Sequence, residues 1–197
     1  MKESEIIEFV KANIEPLQDF GSKSLFYRCS ATLVDGLHLP CIVVKSENAR
    51  VDLAIRRFQE CHNAEPNVIK KIFGKKLPEN SINDYRTIVS SFACSGNRIN
   101  YYDIKSLDKS PFAIPPERMA EINGETSMGW TQFTARMKDG MEFEFGTRFS
   151  QEFFDMPNGY TAKDIVKITP AKRGLPRDFN GNFLREKPFF ECYIDGI

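Results

Sequence analysis

Apolar residues in the first dozen positions recur with a helical period. Ile6, Phe9, Val10 and Ile14 follow the i, i+3, i+4, i+8 spacing of one buried stripe, which predicts a helix over 2–13. Pro16 disfavours helical geometry at Glu15 and stops it there. A second helix is predicted over 48–62. Val51, Ile55, Phe58 and Cys61 share one of its faces, and Arg50, Arg56, Arg57 and Glu60 the other. A shorter third helix starts at Pro115-Pro116, residues suited to a first turn. Most of the remaining pattern is extended. Gly96-Asn97 separates two runs as a two-residue hairpin that sets Cys94 opposite Ile99 and Phe92 opposite Tyr101. The tail 182–197 reads as a last strand, interrupted or edged by Pro188. Segments 66–83 and 169–182 read as irregular, and 147–168 as partly helical.

Two stretches share an outline, "SATLVDGLHLPC" (30–41) and "TARMKDGMEFEF" (134–145). A two-residue turn at Asp-Gly would mix charge and hydrophobe on both faces of the second. A three-residue loop with glycine left-handed, as a G1 bulge, sorts the faces. Loop 138–140 then pairs Met137 with Met141, Ala135 with Phe143 and Phe133 with Phe145. The other face holds Arg136 with Glu142, Thr134 with Glu144, and Trp130 with Arg148, the last a candidate cation–π contact. Loop 34–36 pairs Leu33 with Leu37, Ala31 with Leu39, Cys29 with Cys41 and Tyr27 with Val43. Leu33, Leu37, Met137 and Met141 are expected inside, and Cys29 and Cys41 within disulfide reach. The echo is either a duplication or turn chemistry used twice.

The fold expected is α+β: a mainly antiparallel sheet built from hairpins, curved or barrel-like in one form, with two to three helices, the two clearest in the N-terminal third. A single domain over 1–197 is the simplest organisation. A two-part alternative divides it into 1–110 and 111–197, each with one Asp-Gly hairpin.

Composition narrows the function. The 197 residues are 41% hydrophobic and 27% charged, as in soluble globular chains. Twenty-seven basic residues balance 27 acidic ones, which argues against a dedicated nucleic-acid binder while leaving room for a local basic patch. Seventeen Phe point to aromatic packing in sheets. The five cysteines form no CxxC pair, and no apolar run is long enough to span a membrane, so a reduced, cytoplasmic protein of bacterial type is expected.

Chemistry is sparse. The two histidines, His38 and His62, are too few for a zinc site and read as a solvated side chain and a helix-end residue. No serine elbow, metalloprotease helix, phosphate loop or dinucleotide fingerprint occurs. No catalytic, cofactor or metal residue is assigned, and the balance leans away from an enzyme. The leading expectation is a non-catalytic protein of the accessory, immunity or antitoxin-like class. It would act on a protein partner or on its own copies through Trp130, Arg136, Arg148, Tyr101 and Tyr102, the residue types of binding hot spots. One alternative binds a nucleic acid or phosphorylated ligand through basic segments 70–76 and 172–187, with Lys70, Lys71, Lys75, Lys76, Arg173 and Arg177 as anion contacts. A second is a hydrolase-type enzyme with a carboxylate-based pocket assembled from distant strands; no pair is identified for it, and the two-residue spacing of Glu142 and Glu144 is equally that of a polar sheet face.

Overall fold

A computed structural model describes residues 1–18, 24–46, 96–127, 129–148, 150–171, 177–178, 180–182 and 184–197. The second helix expected over 48–62, the segment 66–83 and the hairpin positions Phe92 and Cys94 lie outside these. Helix α1 (Glu3–Asn13) forms as the spacing predicts. The Glu5 carboxylate accepts the Lys2 N–H at 2.7 Å, and Ile14 turns extended two residues before Pro16. Ile6 and Val10 are fully buried, a contribution of roughly 1.5–3 kcal/mol each. At Pro115-Pro116 only a single turn forms, α2 (Pro116–Met119).

Strands dominate. The first sheet comprises β1 (Leu17–Gln18), β2 (Leu25–Leu33), β3 (His38–Ser46), β4 (Arg98–Ile99), β5 (Ile104–Lys109) and β9 (Phe190–Ile194). Antiparallel β3 lies on one side of β2, with β1 and β5 sharing the other; β9 pairs parallel with both β3 and β4. The second sheet has the order β7-β6-β8, all antiparallel, from β6 (Thr131–Met137), β7 (Glu142–Thr147) and β8 (Ile165–Pro170). The protein is therefore sheet-rich with few helices, broadly α+β, and its sheets are open rather than closed as a barrel. Within the segment expected to be partly helical, 162–164 form a 3-10 turn and β8 starts at Ile165; the strand then continues through Thr169–Pro170, where irregular chain was expected. The last strand does begin just after Pro188. Tyr101 lies in a 3-10 turn, Tyr101–Asp103, rather than in a strand.

The second Asp-Gly hairpin has the register expected from its alternation: Phe133–Phe145, Thr134–Glu144, Ala135–Phe143 and Arg136–Glu142. Gly140 takes φ +89, and Met137 and Met141 close the loop. The first hairpin agrees from its tip to Ala31–Leu39, with Gly36 at φ +90. Beyond that the ladder shifts by one residue, so Cys29 pairs with Ile42 and Tyr27 with Val44. Pro40 sits at the shift, where a residue without an N–H is tolerated. The slip sends Cys41 and Val43 to the opposite face of the sheet from Cys29. Cys29, Cys41 and Cys192 are free thiols, so the expected Cys29–Cys41 pairing is lost with the register.

The two hairpins are parts of a larger recurrence. Strand β5 joins the first on the outer side of β2, and β8 joins the second on the outer side of β6. Each enters from a 3-10 turn, Tyr101–Asp103 and Ala162–Asp164. Each ladder skips a residue at the matching place, between Thr32 and Leu33 and between Arg136 and Met137. Even the turn contacts repeat: Val34 N–H donates to the Asp103 carbonyl at 2.9 Å, and Lys138 N–H to that of Asp164 at 2.8 Å. The sequences "NYYDIKSL" (100–107) and "TAKDIVKI" (161–168) align through this match.

Three apolar clusters result. One lies between α1 and the first sheet, around Ile6, Cys29, Ile42, Ile104 and Cys192. Another fills one face of the second sheet, where Phe133, Phe145 and Phe154 pack edge-to-face and stacked. The smallest joins Cys41, Val43 and Phe153 on the far face of the first sheet.

Candidate functional site

The five residues singled out as interface types fall into two groups. Trp130, Arg136 and Arg148 belong to the second sheet. Arg136 is exposed opposite Glu142, next to Lys167 on β8. Trp130 turns over Gly146 rather than under Arg148, and its Nε1–H donates to Gln132 at 3.3 Å. Gln132 Nε2–H and Thr134 Oγ1–H in turn donate to the Glu144 carboxylate, at 3.2 and 2.6 Å. Thr134 is buried although it lies on the face opposite the Phe133 cluster. Glu144 is thus held as a structural acceptor, which weighs against its use with Glu142 as an acid–base pair.

Tyr101 and Tyr102 form the second group, at the corner of the first sheet. Their rings meet edge-on at 5.5 Å. Tyr101 packs onto the first cluster, whereas Tyr102 is 61% exposed. The Val34–Asp103 hydrogen bond ties this turn to the hairpin loop. Val34 and Leu37 on that loop are 64% and 55% exposed. Leu37 was expected inside, as was Met141, which is 39% exposed; both stand at hairpin tips, beyond the reach of the cores. Three large apolar side chains therefore share one corner.

The recurrence defines two three-stranded units, β2-β3-β5 and β6-β7-β8, and the matching corner of the second is a built-in comparison. Lys138 stands where Val34 stands, Met141 where Leu37 stands, and Lys163 where Tyr102 stands, on the same backbone frame. Lys138 and Lys163 are exposed, and Lys138 Nζ lies 3.3 Å from Asp164. The frame accepts lysine at two of the three positions, so folding alone does not demand the apolar pair Val34 and Tyr102.

Other candidates are less developed. Lys70, Lys71, Lys75, Lys76 and Arg173 lie outside the described residues, as do Cys61, Cys94 and His62. Arg177 is exposed, and its guanidinium donates to the Gly181 carbonyl at 3.1 Å. His38 Nδ1 lies 3.3 Å from Thr32 Oγ1 on an exposed edge. Burial raises the thiols of Cys41 and Cys192 to about 12 and that of Cys29 further, so none of these is a ready nucleophile. Among the described residues no helix is long and apolar enough to cross a membrane. No protein-family model, curated protein or solved structure matches this chain.

Proposed function

We propose that the protein works without catalysis, by docking another protein on the corner formed by Val34, Leu37 and Tyr102. The supporting observation is the contrast between the two units: the same frame carries lysine at the positions of Val34 and Tyr102 in the second unit and exposes apolar groups in the first. Exposed apolar side chains gathered beside a tyrosine pair have the composition of an interface centre, where aromatic and aliphatic groups supply most binding energy. Asp35 and His38, exposed beside them, provide a polar rim. The partner expected is one with an apolar recess, in the manner of an accessory, immunity or antitoxin-like pair. The sequence alternative of a homo-oligomer would use the same corner on both copies.

The second unit also supplies the test. Val34→Lys with Tyr102→Lys copies what the frame already holds at Lys138 and Lys163, so the doubly substituted chain should fold with an unchanged far-UV spectrum. A photo-crosslinker placed at Leu37 in the native cell should trap a partner, or a second copy, that the double substitution releases. Equal crosslinking by the substituted chain would overturn the assignment of this corner, and so would an empty crosslinking lane.

A further inference from the structure

On β2 the side chain of Arg28 points away from the first cluster, toward residues 110–115 and 150–154. It is only 4% exposed. Its Nη1–H donates to the Glu152 carbonyl at 3.0 Å and its Nη2–H to the Ile114 carbonyl at 2.5 Å. Nε has no acceptor, and among the described residues no carboxylate comes within ion-pair distance of the guanidinium. Burial lowers its pKa to about 10 even though the charges of Glu152 and Glu15 favour the cation. A guanidinium bonded only to neutral carbonyls in a desolvated setting keeps a strong demand for an anion.

This guanidinium lines a cleft of about 250 Å³ between the two units. The end of α1 contributes Asn13 and Glu15, β5 contributes Lys109, and the turn before β8 contributes Lys163. Both lysines are exposed, whereas Arg28 is buried. Glu15 and Glu117 also line the cleft, against three cations. We infer that this cleft is a binding site for a small ligand bearing an oxyanion, a phosphoryl or carboxylate group seated toward Arg28 and bracketed by Lys109 and Lys163. A planar guanidinium donor with flexible ammonium groups around it suits either oxyanion.

Inorganic phosphate and succinate are the two probes, titrated separately into the full chain at constant ionic strength, with heat of binding and melting temperature as readouts. At least one should bind saturably at a single site and raise the melting temperature. Lys109→Glu with Lys163→Glu should weaken that binding by about tenfold or more, as expected for losing charged hydrogen-bond donors. Lys105→Glu with Lys167→Glu makes the same charge change on β5 and β8 outside the cleft and should leave binding as it was. Arg28→Lys keeps the charge and loses the fork, and should weaken binding without abolishing folding; its far-UV spectrum reports the latter. Two results overturn the inference: no saturable binding of either probe, or equal weakening by the Lys105/Lys167 and Lys109/Lys163 substitutions, which would mean a diffuse charge effect.

Discussion

Two kinds of glycine hold this molecule together, and they fail in different ways. Gly140 needs its hydrogen because φ is +89; a Cβ there would meet nothing within 4 Å. Gly146 has an ordinary strand conformation but lies under Trp130, whose ring carbon would be 2.1 Å from an added Cβ. Gly140→Ala should therefore cost about 1 kcal/mol through backbone strain and leave the indole undisturbed. Gly146→Ala should cost about 1–3 kcal/mol by overpacking and displace the ring. Trp130 is the only tryptophan, so emission wavelength alongside urea midpoints separates the two mechanisms. The buried thiols give a second residue-level expectation. Cys41 and Cys192 titrate at about 12 when folded against an ordinary 9.0, so the folded chain holds protons that the unfolded chain releases. Their contribution is complete below pH 9.0 and is lost as pH rises toward 12. Urea midpoints should fall over that window, and less steeply in Cys41→Ala; a midpoint insensitive to pH would contradict the burial of these thiols.

At the scale of elements, legibility followed the cleanness of the alternation. In β6 and β7 apolar residues occupy one face and polar ones the other, so one register satisfies both strands and the sequence alone sufficed. In β3 the run Leu39 to Val44 is apolar toward both faces except at Pro40. A slip of one residue leaves no polar group misplaced there, and alternation could not reveal it; Pro40 was the available signal. Strand β8 was hidden for a different reason. Ile165 and Ile168 are both buried although three residues apart, because the ladder skips a residue between their partners Met137 and Ala135. Three-residue spacing imitates a helix. Ile104 and Leu107 in β5 show the same signature against Leu33 and Ala31. As for the candidate sites, the tyrosines were legible by type, while Arg28 was not, since nothing in "LFYRCSA" tells which strand residue meets a second unit. The shared frame makes a prediction at this scale. Replacing 34–37 (Val-Asp-Gly-Leu) with the Lys-Asp-Gly-Met of 138–141 should keep the melting temperature close to the parent value, because the Asp side chain accepts the matching N–H in both, Leu37 at 2.9 Å and Met141 at 3.1 Å. A large drop would show that the two loops are not equivalent.

The C-terminal segment decides how the two units behave as a whole. Its first part lies against the second unit, where Gly146 N–H donates to the Leu184 carbonyl at 3.0 Å and Arg185 bridges Gly146 in parallel. Its last part is β9, which runs parallel to β3 and supplies Cys192 and Ile194 to the first cluster. Between the two, Lys187 N–H reaches the Phe153 carbonyl at 2.8 Å, and Phe189 packs on Phe153 in the third cluster. One stretch of chain thus enters both sheets and the apolar contact between them. Neither unit can shed it without exposing apolar residues and opening main-chain hydrogen bonds in the other. Unfolding should accordingly be a single cooperative event, even though each unit has its own hairpin and cluster. Two probes separate the units: Trp130 emission reports the second, and alkylation of Cys29 and Cys192, read peptide by peptide by mass spectrometry, reports the first. Their urea transitions should coincide in the full chain. Phe189→Ala should destabilise by less than the roughly 3–5 kcal/mol of a fully buried phenylalanine, because its ring is half-buried. Whatever its size, that loss should shift both transitions together; a first unit that opens while Trp130 keeps its native emission would establish two independent parts.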